Sequence, residues 1–315
     1  MSRKVLLLGI IFLLTVCSNV FASDYYEFST FGGPGSEYDV GSYGNDIYYG
    51  GGSSVYKTTV SITDMAKANE PKFLADGVTP NPNYQVRTFT SPTYINLSGA
   101  PTSLEQGSWG EMYIDANNIY TAGYTSYSST GNYGAIYSFD KATGAYNGTA
   151  VTGGGAITSD YWGIGATLLS YGGGQWWAAN ESSKVYSSTG GAWTYEFTWP
   201  SMGGGHGDGM EYVNGNIWVS DMTSNFIARW GKVGDVWMEL NRFAYTEAGG
   251  NKYVEGMGFG ALGHFWAGSG SQIYELGGGV LGDYTETVVP EPSTYLLLGI
   301  GLIGLFLSRK RIQQG

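Results

Sequence analysis

The 315-residue chain is expected to be an all-β protein, on three observations. Period-two alternation of apolar and polar residues dominates between the two ends, while helix-length apolar periodicity is scarce. One strand-turn-strand unit recurs five times. Its clearest copy carries Asn214-Gly215 between alternating runs, the strongest short hairpin signal a sequence offers.

That copy runs Asp208-Gly209-Met210-Glu211-Tyr212-Val213, turns at Asn214-Gly215, continues Asn216-Ile217-Trp218-Val219-Ser220-Asp221, and adds Phe226-Ile227-Ala228-Arg229-Trp230. The order returns as Glu255-Gly256-Met257, His264–Ala267 and Gln272–Leu276. It also appears as Trp109–Met112, Asn118–Thr121 and Ala135–Phe139, and as Trp162–Ile164, Gln175–Ala178 and Lys184–Tyr186. A weaker first copy holds Tyr38–Val40, Asp46–Tyr49 and Ser54–Lys57.

The second-strand aromatics are Tyr48, Tyr120, Trp177, Trp218 and Trp266, with gaps of 72, 57, 41 and 48 residues. The last two gaps fit the repeat length of propeller blades. The expected fold is therefore a β-propeller of five blades. Residues 77–108, with four prolines, read either as an inserted loop or as a degenerate sixth blade. Fourth strands follow at Ala192–Trp199 and Val236–Tyr245. Tyr25–Thr30 is a strand with no partner of its own, so it is expected to close the ring as the outer strand of the last blade, removing an open edge. The blade pattern loosely resembles NHL-type and gluconolactonase-like propellers, a likeness that bears on fold more than on activity.

Composition excludes several classes. Aromatics at 16% and charged residues at only 13% rule out a disordered acidic tail, and 52 glycines without a three-residue period rule out collagen. Residues 23–288 carry 10 basic and 25 acidic side chains, a net of −15, which repels phosphate backbones and excludes nucleic acid as a partner. The single cysteine, Cys17, lies in the N-terminal apolar run, so the body has no disulfide.

The ends read as addresses. In residues 1–22, Arg3 and Lys4 precede the apolar Val5–Val16, and Val20-Phe21-Ala22 offers a signal peptidase its site. The run is short for a retained anchor, and Val16 is bulkier than a lipobox before Cys17 accepts. Residues 23–288 then form the propeller domain. Residues 289–315 hold Val289-Pro290-Glu291-Pro292-Ser293-Thr294, the apolar Tyr295–Leu307 and the basic stop Arg309-Lys310-Arg311. A rigid Pro-Glu-Pro hinge, a short transmembrane helix and a cytoplasmic basic cluster leave everything before them outside.

This C-terminus resembles the PEP-CTERM sorting signal of Gram-negative bacteria, the substrate of a membrane-embedded exosortase. The resemblance implies export across the inner membrane, transient anchoring there by the C-terminal helix, and processing near the motif. Delivery to the cell surface or extracellular matrix follows, in species that build exopolysaccharide. Signal peptidase and exosortase are the implied partners, with exopolysaccharide or another envelope component as a further one. The membrane is met only through the terminal segments.

Chemistry in the body is expected at one mouth of the propeller channel, near the first residue of each inner strand. Those residues are Asp39, Trp109, Trp162, Asp208 and Glu255. Indole faces stack on sugar C–H faces, and carboxylates accept hydroxyl hydrogen bonds or hold a cation. A non-enzymatic scaffold or carbohydrate-binding role is the leading expectation. The alternative is a propeller hydrolase, either a metal-dependent lactonase or a glycoside hydrolase using Asp39, Asp208 and Glu255. No catalytic residue is assigned. Two histidines, His206 and His264, cannot make a zinc site. No cofactor is expected either: an acidic turn suits Ca, but no Asp-x-Asp-x-Asp-Gly spacing supports it.

Overall fold

A computed structural model describes residues 26–33, 39–51, 53–74, 78–101, 112–122, 134–156, 167–180, 184–199, 207–221, 226–244 and 254–277. Residues Ser23–Gly282 form one compact unit, and it is an all-β propeller of five blades. The expected leader (1–22) and sorting segment (289–315) lie outside the described residues.

Blade I consists of β2 (Asp39–Tyr43), β3 (Asp46–Gly51), β4 (Ser54–Ser61) and β6 (Thr93–Asn96), with the two-residue β5 (Thr88–Phe89) pairing the far end of β4. Blade II is β7 (Met112–Ile114), β8 (Asn118–Ala122), β9 (Ile136–Asp140) and β10 (Tyr146–Val151). Blade III is β11 (Thr167–Gly172), β12 (Gln175–Asn180), β13 (Lys184–Ser188) and β14 (Thr194–Thr198). Blade IV is β15 (Gly207–Val213), β16 (Asn216–Asp221), β17 (Phe226–Val233) and β18 (Val236–Ala244). Blade V takes β19 (Gly256–Phe259), β20 (Phe265–Ser269) and β21 (Gln272–Gly277) from the end of the unit, and β1 (Tyr26–Gly32) from its start.

The unit's two ends thus share a sheet. Strand β1 runs antiparallel to β21 from Tyr26↔Gly277 to Gly32↔Gln272, and the expected ring closure is found. The inner strands neighbour one another in the order β2, β7, β11, β15, β19 and back to β2. No sixth blade forms among the described residues. Residues 62–92 are instead an insertion between the third and fourth strands of blade I, which accounts for the 72-residue gap.

Local sequence explains the local geometry. Asn214 (φ 49°) and Gly215 (φ 82°) both take the positive φ that a type I′ turn requires, so the Asn-Gly pair sets the β15–β16 register. Gly258 sits where an added Cβ would lie 2.8 Å from the Val40 carbonyl oxygen and 2.9 Å from the Gly41 Cα. Only glycine lets the inner strands of blades V and I approach that closely.

The core is distributed between blades. Tyr48, Val55, Ile114 and Phe139 pack blade I on II, Ile136, Leu169 and Trp176 pack II on III, and Leu168, Trp177, Met210 and Trp230 pack III on IV. Trp218 meets Phe265 (5.4 Å) between IV and V, and Tyr49, Ile47, Val40 and Trp266 join V to I. Each fully buried aromatic contributes roughly 2–3 kcal/mol of burial. The second-strand aromatics named from the repeat therefore hold neighbouring blades together.

A buried polar network fastens the closure. Glu275 on β21 receives Arg87 Nε (2.8 Å) and Nη2 (3.0 Å), the Ser29 hydroxyl of β1 (2.6 Å) and contacts His264 Nδ1 (2.6 Å). His264 Nε2 lies 2.6 Å from Asn69 Oδ1, and Arg87 Nη2 donates to the Ala68 carbonyl (2.7 Å). The Tyr84 hydroxyl donates to the Phe28 carbonyl. Phe28 lies stacked on the His264 ring at 4.3 Å and under the Arg87 guanidinium at 4.9 Å. Three stretches distant in sequence (the first strand, the insertion and the last strand) meet here. His264, expected at the start of the second strand of the last repeat, stands just before β20 and is buried in this network.

Candidate functional site

The inner strands all start on one face of the ring. Asp39 opens β2 and is buried there. Asp208 is the second residue of β15, in a bulge between Gly207 and Gly209. Glu255 immediately precedes β19, half-buried, with its backbone N–H on the Gly268 carbonyl (2.9 Å). Trp109 and Trp162 lie outside the described residues, as does His206.

Strand pairing gives these positions a common ruler. Gly41, Tyr113, Ser170, Glu211 and Gly258 pair with Tyr48, Tyr120, Trp177, Trp218 and Trp266, one in each blade. On that ruler Asp39 is level with Gly209 and Gly256, while Asp208 and Glu255 stand one residue earlier. The three acids thus sit at the same end of their strands but not in one register.

The ruler also exposes a position that sequence reasoning passed over. Each of its five residues faces the next blade in the ring, and one is an acid. Glu211 is buried. It accepts the Ser170 hydroxyl of blade III (2.8 Å) and the Phe259 N–H of blade V (3.1 Å), while Ser170 Oγ in turn accepts the Tyr212 N–H (2.9 Å). Burial pushes its carboxyl up to about 8, and the hydrogen bonds from Ser170 and from the Phe259 and Tyr212 N–H groups only partly oppose that. A carboxyl at this pKa is largely protonated at neutral pH and tied to two neighbouring blades. It works as a crosslink from blade IV to blades III and V. The signal that would have found it is its place opposite Trp218, seven residues away through an Asn-Gly turn.

Around Tyr113, the ruler's member in blade II, Tyr120, Tyr171 and Trp176 form an aromatic knot with centroids 4.9–5.8 Å apart. The Tyr120 hydroxyl donates to Asp115 Oδ2 (2.7 Å). Burial pushes the Tyr113 and Tyr120 phenols up to about 12, so both remain neutral hydrogen-bonding groups. Among the described residues no group of three or more His, Cys, Asp or Glu side chains is placed to hold a metal ion.

Comparison with known proteins separates the tail from the body. A search of curated protein sequences finds no match. Among solved structures, a streptogramin B lyase aligns at 14% identity and TM-score 0.38, over 76% of this chain. The alignment spans 64% of the lyase's length. Glutaminyl cyclase from Myxococcus xanthus aligns at 9% identity and TM-score 0.46, over 80% of this chain and 95% of the cyclase. The WD40 propeller domain of Doa1 aligns at 9% and 0.41, over 82% and 97%. The tail is specific: residues 288–311 match the PEP-CTERM protein-sorting motif, covering Pro290-Glu291-Pro292 and Arg309-Lys310-Arg311, and so the chain carries the signal of an exported, surface-sorted protein that exosortase processes.

Proposed function

We propose that the mature protein is a non-enzymatic component of the cell surface or extracellular matrix, whose propeller recognises carbohydrate or another envelope component. Contact is made at the mouth where the inner strands begin, by Asp39, Trp109, Trp162, Asp208 and Glu255. The observation that carries this reading is the division of labour between the two acidic positions of the inner strands. Glu211, inside the ring, is consumed in crosslinking blades, whereas Asp208 and Glu255 stand at or beside strand starts; Asp39 opens β2 on the same side and is buried there. Rim carboxylates accept sugar hydroxyls, and indoles supply the stacking surface.

The test is retention on the producing organism's own polysaccharide. Two stacked indoles, at about 0.5–1.5 kcal/mol each, set the scale. Replacing both (Trp109→Ala with Trp162→Ala) should therefore weaken retention about tenfold or more. Unchanged retention removes the sugar-binding role. Turnover of lactones or aryl-glycosides that disappears in Asp208→Asn/Glu255→Gln would replace the reading with a hydrolase.

A further inference from the structure

The inner strands of blades II and III end on the face opposite their starts, and the aromatic knot lies at that end. Tyr113 pairs Tyr120 across the β7–β8 turn, and Tyr171 pairs Trp176 across the β11–β12 turn. Both pairs face the cleft between the two blades. Trp176 is the hub, its ring 4.9 Å from Tyr120, 4.9 Å from Tyr171 and 5.6 Å from Tyr113. The turn after Tyr171 is Gly172-Gly173-Gly174, which has no side chain to cover the ring, and Tyr171 is 37% exposed. Tyr113 and Tyr120 are half-buried.

Two features separate this cluster from ordinary core. The first is that polar tips are left over. Trp177 donates its indole N–H to the Gly172 carbonyl (3.0 Å), but the neighbouring Trp176, only 7% exposed, has no acceptor among the described residues. The Tyr113 and Tyr171 hydroxyls make no hydrogen bond there either. A buried indole N–H ordinarily finds a partner, because leaving it without one costs free energy. The second is a fixed polar border along one edge. Asp115 accepts the Asn117 and Asn118 N–H groups (2.7 Å each) and the Tyr120 hydroxyl, while Asn118 Nδ2 donates to Tyr120 Oη (3.1 Å).

Charge and shape narrow the ligand. Rings this close leave no space for a cation between them, so the knot is a platform and not a cage. The ammonium of Lys141 is already committed, to the Asp115 carbonyl (2.8 Å) and to the Tyr43 ring, 4.2 Å away. With 10 basic against 25 acidic side chains in residues 23–288, the body repels anionic glycans. A pyranose offers a flat C–H face when its hydroxyls are equatorial. We propose that Tyr171, Tyr113 and Trp176 form a platform for a neutral, β-linked glycan with equatorial hydroxyls, at the end of the ring opposite the strand starts. Tyr171 carries the stacked sugar ring, and the Trp176 N–H and Tyr113 hydroxyl bond its hydroxyls. The platform shares no residue with the rim contact proposed above and stands or falls separately from it.

The experiment titrates cellohexaose into the full chain in a sugar-free polyoxyethylene detergent. Calorimetry measures affinity, and saturation-transfer NMR from the protein's aromatic protons reports which sugar hydrogens touch rings. Cellohexaose should bind, with saturation reaching its axial ring hydrogens. Tyr171→Ala should weaken binding about tenfold and Tyr113→Phe, which keeps the ring, about threefold. Tyr94→Ala, which removes a ring 53% exposed on β6, should leave affinity unchanged. Unchanged thermal melting shows that each variant is folded, and Tyr171→Leu replaces Tyr171→Ala if the latter melts early. Absence of cellohexaose binding would overturn the platform. So would equal affinity in the parent and the Tyr171 variant, a result that leaves the rim contact standing. Tetramethylammonium binding that Tyr171→Ala abolishes, in place of sugar binding, would overturn it in favour of a cation site.

Discussion

At the residue scale, Glu211 links chemistry to stability with a definite sign. Its carboxyl holds its proton to about pH 8 in the folded protein but releases it near the ordinary carboxylate range when unfolded. The folded state binds more protons across that interval, so the stabilisation is complete below about pH 4 and is lost as pH rises toward 8. The full swing is on the order of 4 kcal/mol. Glu211→Gln, which keeps shape and carries no charge, should flatten the slope between pH 5 and 8 and be the more stable protein at pH 9. Urea midpoints at a series of pH values measure this, and parallel curves for the two proteins would refute the assignment. In the sequence only its place opposite Trp218, across the Asn-Gly turn, marks this residue. A glutamate between Met210 and Tyr212 in an alternating strand looks like an outward-facing polar position, and only closure of the ring turns that face toward the next blade.

At the element scale, β1 and Glu275 carry the argument. Burial alone would raise the Glu275 carboxyl, but hydrogen bonds and charge from His264 and Arg87 outweigh it and hold the group below its usual range. Its contribution is therefore present above the unfolded carboxylate pKa and is lost as pH falls through the lower folded value, the opposite sense to Glu211. Glu275→Ala leaves the Arg87 guanidinium buried without its counter-ion and should cost roughly 3–5 kcal/mol. Deleting residues 23–32 should do more, lowering the melting temperature of the whole ring in one cooperative step. A truncated chain that melts like its parent would refute the closure. Strands with a strong local signal were legible: β16 was read as Asn216–Asp221 and is found there, because alternation and an Asn-Gly turn are local signals. The inner strand of blade III was not: expected to open at Trp162–Ile164, it is Thr167–Gly172, five residues past Trp162, where Leu168 and Leu169 pair with β12. The network was not, because Arg87 and Glu275 are 188 residues apart and no local pattern marks them as partners.

At the scale of the whole molecule, propeller and sorting segment should be separable. The described strands end at Gly277, and the matched motif begins at 288. A chain ending at Val288 should keep the melting temperature of the full-length protein and fail to be retained at the cell envelope. A lowered melting temperature would mean that the tail contributes to the ring. The five-blade count was legible from five aromatics recurring along the chain. The register of the rim acids was not: Asp39 and Asp208 look equivalent by motif, yet the bulge at Asp208 and the pairing of Asp39 with Gly50 set them one residue apart.

The pairing of Tyr26–Gly32 with Gln272–Gly277 also orders events in time. Threaded through a translocon from its N-terminus, the domain emits one strand of its final sheet first and the other three last, with the pairing partner of that first strand some 240 residues later. Blades I to IV can assemble on arrival, but the first segment out must wait, unpaired, for a partner that appears just before the sorting signal. Folding is thereby completed only as that signal reaches the membrane, so a finished ring certifies that the entire domain has crossed.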